Sequence, residues 1–353
     1  MMRLISFQHL PLVMNVAIFA AAAAVIWLAG FRLSIYADAI AERKQLGRAF
    51  VGTLLLGVAT SLPEIATSIT AASLGNATLA ASNLMGGVAT QVAVLAVVDW
   101  FFVRGALTFF SPKPVLLLSG VLLMMQISLA LAAMAAGEFF SLLGIGLWPA
   151  ILLGTYVMFV FSLYRYEGRD RWAAVDIPDA AYEEQVSQID QSRYQDFAFA
   201  QLVFRFLFYA GLIVIAGWAV STSADALAEQ TGLGSGFVGA TILAIATSLP
   251  EISTTLGAVR VGAYTMAIAN IFGTNTLEVG LLFVADIAYR DGLMIEQVDR
   301  AAQFVAALGA LVTGIYLWGL LERQNNTILG MGVDSALVLV AWLIGMIGLH
   351  FLT

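Results

Sequence analysis

"ATSLPEIATS" occupies residues 59–68 and "ATSLPEISTT" residues 246–255, each inside a long apolar run. Both place a proline, a glutamate and several hydroxyls in the same order. Pro63 and Pro250 have no N–H, so the carbonyls of Ala59 and Ala246 lose their helical partners. The residue before each proline is also pushed away from helical geometry. A helix broken in lipid is costly unless the freed groups face protein or a water-filled cavity. The spacings Ser61-x-x-Glu64 and Ser248-x-x-Glu251 predict a capping box opening a new half-helix after each break. The positive end of that half-helix favours an ionised Glu64 and Glu251.

The surrounding chain explains why such breaks stand out. Of 353 residues, 61% are hydrophobic and 11% charged, against about 25% charged in a soluble domain. Most of the chain therefore faces lipid or other membrane helices. There is no cysteine, and the two histidines, His9 and His350, lie at opposite ends. Soft metal sites built from thiolate and imidazole are excluded. The net charge of −7 gathers largely in one central loop and argues against a nucleic-acid partner. The apolar run near the N-terminus continues to about residue 29, too long for a signal-peptide core, and reads as a spanning helix.

Runs long enough to cross a bilayer are expected at 11–36, 46–74, 77–103, 114–136, 140–163, 197–228, 235–261, 263–287, 299–321 and 328–351. This predicts an all-α integral membrane protein of ten transmembrane helices. A polar linker divides it, giving a first five-helix repeat over 1–163, a loop over 164–196 and a second repeat over 197–353. Lys and Arg set the orientation. With the N-terminus outside, the inner loops hold Arg43, Lys44, Arg48, Arg104, Lys113, Arg165, Arg169, Arg171, Arg193, Arg260 and Arg323, while the outside keeps mainly Arg3, Arg290 and Arg300. Both termini are expected outside and the 164–196 loop in the cytoplasm, with the protein in the plasma (inner) membrane of a prokaryote.

The halves are copies. A shift of 187 residues aligns Ser34 with Ser221 through Asp99 with Asp286 without a gap, at roughly 40% identity. Asp, Glu, Pro, Asn and Gly are among the matches, so shared hydrophobicity does not account for it. Five helices per half is an odd number, so the second copy enters the membrane inverted. Secondary transporters are built this way, with broken helices and a substrate site near the midplane where the repeats meet.

Oxygen and charge indicate the ligand. On the third helix Asn83 and Gln91 lie eight residues apart, and on the eighth Asn270, Thr274 and Glu278 follow at intervals of four, near one face. Asn83 and Asn270 have interhelical hydrogen bonding as their plainer role. Each acid at a helix centre costs about 3 kcal/mol on insertion scales, so it needs a proton, a partner or a cation. The central spans carry no Lys or Arg to neutralise Glu64, Glu251 and Glu278, and Arg32 and Arg260 sit near helix ends. Three carboxylates, an amide, hydroxyls and freed carbonyls form an all-oxygen site for hard cations. Ca²⁺ fits it better than Mg²⁺, which keeps its waters; Na⁺ or H⁺ suit the same oxygens.

At these residues the sequence resembles the cation/calcium antiporter superfamily, in its sodium/calcium exchanger branch. That family's two repeats carry G-T-S-L-P-E followed by G-N-x-x-G-S-N; here they read "VATSLPE…SNLMGGVATQ" and "IATSLPE…ANIFGTNTLE". The resemblance implies ten helices, alternating access by sliding of the first and sixth against the rest, and exchange of calcium for sodium. It implies cation ligands at Thr60, Ser61 and Glu64, at Thr247, Ser248 and Glu251, and at Gln91, Thr274 and Glu278, with Gly87 at a further ligand position. Gln91 and Glu278 stand where prokaryotic exchangers usually have Asn and Asp, each one methylene longer. Gly87 stands in place of a serine and removes a hydroxyl ligand.

The expected function is thus secondary active cation antiport, calcium against sodium, with proton coupling as the alternative. A passive channel and an intramembrane hydrolase using paired carboxylates are weaker readings. No enzyme activity, tightly bound cofactor or obligate protein partner is expected. The partners are small inorganic cations and membrane lipid.

Overall fold

The computed structural model describes residues 7–43, 57–111, 113–142, 144–166, 197–260 and 264–352. Most of the 164–196 linker and the start of the span expected at 46–74 lie outside the described residues. Among the described residues, eight helices are long and apolar enough to cross a membrane. A ninth is the pair Ser235–Thr247 and Leu249–Arg260, bent by 48° at the second SLPE motif. The chain is an all-α integral membrane protein.

In chain order the long helices are α1 (Leu12–Arg43), α2 (Leu62–Ser73, preceded by the short helix Gly57–Thr60), α3 (Ala77–Phe102), α4 (Pro114–Ala136) and α5 (Leu147–Tyr166). The second half supplies α6 (Phe199–Thr231), α7 (Leu249–Arg260, preceded by Ser235–Thr247), α8 (Tyr264–Gly280, continued by Leu282–Ala288), α9 (Arg300–Glu322) and α10 (Val333–His350).

Burial separates centre from periphery. Helix α3 is 78% buried and α8 with its continuation 72%, against 17–28% for α1, α5, α6 and α10. The poorly buried helices turn Phe204, Leu207, Phe208 and Ile215 outward, as lipid permits. Helices α1 and α6 lie along one another, joined by Ala29, Leu33 and Ile213 and by a stacked pair, Tyr36 and Tyr209, 5.7 Å apart.

Two short hairpins were not expected from the sequence. Residues assigned to the starts of the fifth and tenth spans form antiparallel pairs, Ser141–Leu142 with Ile145–Gly146 and Thr327–Ile328 with Met331–Gly332. The helices therefore begin at Leu147 and Val333, not at 140 and 328. The second turn has Leu329 at φ 54 and Gly330 at φ 90, the paired positive φ values of a two-residue hairpin.

The hairpins tie the halves together. Asp99 is fully buried and accepts from Leu107 N–H at 2.9 Å and from Gly332 N–H at 2.9 Å. Asp286 is 1% exposed and accepts from Met294 N–H at 2.9 Å and from Gly146 N–H at 2.8 Å. Each aspartate closes its own loop with one oxygen and grips the other half's hairpin with the second. A buried backbone N–H needs such a partner, and the doubled pattern carries the internal repeat beyond the aligned sequence.

Candidate functional site

The two prolines mark the site. Each SLPE serine has near-helical dihedrals, Ser61 at φ −80, ψ 3 and Ser248 at φ −79, ψ 6. The ladder resumes at once: Ile65 N–H bonds the Ser61 carbonyl at 2.9 Å and Ile252 N–H the Ser248 carbonyl at 3.0 Å. The capping box expected at Ser61 is not formed; its side chain makes no cap hydrogen bond. An N-cap normally has extended dihedrals that let its side chain turn back on the helix, and Ser61 lacks them. Its hydroxyl has no hydrogen-bond partner among the described residues.

Glu64 and Glu251 occupy the first turns of α2 and α7, and both are fully buried. Glu278 on α8 is also fully buried. Its charge acts on Glu64, and Glu251 acts on both. The two motifs face each other in a crossed manner: Thr247 lies against the Glu64 carboxyl and Thr60 against that of Glu251. These contacts fall short of hydrogen-bond geometry, and both oxygens of Glu64 and of Glu251 have no hydrogen-bond partner among the described residues. The hydroxyls give their protons to the turn behind them, Thr60 to the Gly57 carbonyl at 3.1 Å and Thr247 to the Ala244 carbonyl at 3.2 Å. Thr247 also lies 3.4 Å from Asn83 Oδ1, an acceptor on the third helix.

Gln91 joins the repeats. Its Nε2 donates to Ser248 Oγ at 3.2 Å and to Glu278 Oε1. Gly87, one turn earlier, leaves the room Glu278 uses: a Cβ there would run into Glu278 Oε2. Thr274, one turn before Glu278, is fully buried with a hydroxyl that has no partner among the described residues. The structure thus brings together Glu64, Glu251, Glu278, Gln91, Ser248, Thr60 and Thr247, and places Ser61 and Thr274 buried on the same helices. Among the described residues, no three Asp, Glu or His side chains converge tightly enough to hold one metal ion.

A supporting layer was missed in the sequence. Thr67 donates back to the Pro63 carbonyl at 2.8 Å and the Glu64 carbonyl at 3.1 Å, and Thr254 does the same to Pro250 at 3.2 Å and Glu251 at 3.0 Å. Asn83 Nδ2 donates to Thr67 Oγ1 at 3.0 Å, and Asn270 Nδ2 to Thr254 Oγ1 at 3.2 Å. Both asparagines are therefore interhelical hydrogen-bonders, their plainer role. Ser221 adds a bond from α6 to the Thr67 carbonyl at 3.0 Å. The signal was present: the threonine four residues after each proline is identical in both copies.

The moving-helix candidates meet this apex through glycine. A Cβ on Gly30 of α1 would enter the Pro250 ring, at 2.7 Å from its Cβ, and one on Gly217 of α6 would lie 2.7 Å from Ala66 Cβ. Each helix rests on the motif of one half by a notch at an equivalent position.

Comparison with known proteins agrees with this architecture. The family model described as sodium/calcium exchanger protein matches residues 14–165 and 201–350. The protein named "Putative antiporter CaxA" from Alkalimonas amylolytica is 24% identical over 325 residues, covering 90% of this chain and 93% of that protein. The sodium-calcium exchanger NCX_Mj has the same fold, with a TM-score of 0.60 at 15% identity over 94% of this chain and 97% of that one. YfkE gives 0.66 at 15% over 98% and 95%, and the H⁺/Ca²⁺ exchanger CAX 0.66 at 13% over 97% and 84%. The chain belongs to the sodium/calcium exchanger protein family, and is a membrane antiporter of inorganic cations, not an enzyme.

Proposed function

We propose that the protein exchanges calcium for protons by alternating access, with Glu64 and Glu251 as the central calcium ligands. Thr60, Thr247, Ser61 and Ser248 add neutral oxygens, and Glu278, Gln91 and Thr274 complete the set. The observation that carries the proton coupling is Gly87 beside Glu278. A small monovalent metal ion needs several neutral oxygens around it. Here the side chain that would supply one is absent, a carboxyl fills the space, and the Gln91 amide presents its N–H₂ to that carboxyl. A carboxyl that leaves the cation is a natural proton acceptor. Binding of calcium displaces protons from the three acids, and protonation releases calcium.

Sodium coupling is the second reading. The family description and the partnerless hydroxyls of Ser61 and Thr274 favour it. In both readings the ions are cargo and no resident cofactor is needed. The halves 1–163 and 197–353 act as opposed bundles, with Gly30 and Gly217 allowing α1 and α6 to pass over the motifs. The protein belongs in a prokaryotic plasma membrane, with both termini outside and the 164–196 loop cytoplasmic.

Reconstitution in liposomes tests the proposal. ⁴⁵Ca²⁺ uptake is followed with an imposed pH gradient, a sodium gradient, or neither. Uptake driven by pH alone supports proton coupling; uptake requiring sodium replaces it with the second reading. Gradient-independent leak would identify a channel.

A further inference from the structure

A second buried acidic pair lies away from the central glutamates. Asp99 is eight residues beyond Gln91 on α3, about 12 Å along the helix axis. Asp334, in the first turn of α10, is 5% exposed. Two glycines make room for its carboxyl. A Cβ on Gly332 would touch Asp334 Oδ1 and lie 3.2 Å from Asp99 Oδ2, so the two carboxyls face each other across the width of one side chain. A Cβ on Gly319 of α9 would overlap Asp334 as well, at 2.6 Å from its Cγ.

The donors are divided unequally. Asp99 has the Leu107 and Gly332 N–H groups and the Ser335 hydroxyl beside it. Asp334 has the Thr108 hydroxyl and the backbone N–H groups at its helix start, but its Oδ2 has no hydrogen-bond partner among the described residues. Tyr316 stands one turn before Gly319 on the same face of α9. It is fully buried, its hydroxyl has no hydrogen-bond partner among the described residues, and it lies in the field of both aspartates. Arg323, at the end of α9, donates to the Phe109 carbonyl at 3.2 Å and lies over the Phe109 ring.

The other half shows what a purely structural version looks like. Asp286 makes the same two backbone bonds, but with Gly146 set against Gly332, an offset of 332 − 146 = 186, the positions matching Asp334 and Tyr316 are Trp148 and Ala130. Its acidic neighbour, Glu138, is half-exposed and accepts from Phe139, Phe140 and Trp148 N–H groups. The loop closure therefore needs neither a second sealed carboxyl nor a buried phenol.

We propose that Asp99 and Asp334 form a second ion site, which takes one proton, held on Asp334 Oδ2, and that the Tyr316 hydroxyl, without a partner among the described residues, turns to bond that carboxyl once it is protonated. Two ionised carboxylates facing each other and sealed from water would repel, and sharing one proton leaves a single charge on Asp99, whose oxygens accept two backbone N–H bonds. The set is too poor in free oxygens for a metal ion. The site does not depend on which ion the central glutamates couple to calcium.

The test is infrared spectroscopy of the full-length protein in nanodiscs, with ¹³C-labelled aspartate side chains, titrated with pH in sodium-free buffer. A protonated aspartic acid band should persist at neutral pH, disappear in Asp334→Asn, and shift in frequency in Tyr316→Phe. Absence of that band from the unmodified protein, or its survival in a folded Asp334→Asn, overturns the proposal. Loss of the band on adding sodium at constant pH overturns the choice of ligand. If Asp334→Asn fails to fold, Tyr316→Phe decides: an unshifted band with an unchanged titration removes the phenol and the site with it.

Discussion

Glu278 fills the space that Gly87 leaves, across the contact between the third and eighth spans. A side chain at position 87 would meet the Glu278 carboxyl, and that carboxyl is held by Gln91. The small residue, the long acid and the long amide form one arrangement. Gly87→Ser should therefore be harmful alone, because overpacking a filled core costs about 1–3 kcal/mol. Calcium exchange should fall roughly tenfold. Glu278→Asp in the same chain should restore much of the rate and bring in sodium dependence. ⁴⁵Ca²⁺ uptake by both variants under sodium and pH gradients checks this; equal, unimpaired rates for Gly87→Ser would refute the packing account.

Glu64→Gln and Glu251→Gln should each lower calcium exchange at least a hundredfold. Folding should survive, since a buried neutral amide is easier to accommodate than a buried carboxylate without a partner. Uptake measured beside thermal unfolding separates the two effects. Normal flux in either variant would remove that residue from the site.

The pH dependence has a definite sign. Protons and calcium compete for the same three carboxyls, so calcium's affinity falls as pH falls. A ligand that binds only the folded state stabilises it in proportion to RT ln(1 + [L]/Kd). The rise in melting temperature on adding calcium should shrink steadily on acidification, and should be absent in Glu251→Gln at every pH. A calcium shift independent of pH would contradict carboxylate ligation.

Gly30 and Gly217 set the contact between α1, α6 and the motif apexes. Gly30→Val and Gly217→Val should slow transport by about tenfold or more, a cost of roughly 1.4 kcal/mol per decade in the barrier, while calcium still raises the melting temperature. Loss of calcium binding together with transport would show that these glycines shape the site instead of permitting movement.

Asp286 holds the Gly146 and Met294 N–H groups. Asp286→Ala leaves both buried without a partner, at about 1–3 kcal/mol for each group. The variant should unfold at markedly lower denaturant concentration, whereas Asp286→Asn, which keeps an acceptor, should lose less. Equal stability of the two variants would disprove the stapling role.

Composition, the doubled ATSLPE stretch and its offset sufficed to establish a membrane antiporter fold with two broken helices. These are properties of local chemistry, since a proline removes a hydrogen bond and an acid demands a partner wherever the chain goes. Glu64, Glu251, Glu278, Gln91 and Thr274 stood out for the same reason, since polar groups in an apolar run are expensive enough to mark themselves, whereas Thr60, Ser61, Thr247 and Ser248 were named as ligands by the family resemblance. The hairpins before α5 and α10 were not, because a short strand pair and the end of a spanning helix have the same apolar composition. Tertiary structure alone decided that Thr60 faces Glu251 and Thr247 faces Glu64. It also decided that Gly87 is space for Glu278, and that Asp99 and Asp334, on different helices, face each other. Such relations depend on which faces meet after packing, and side chains hundreds of residues apart carry no record of that in their own sequence.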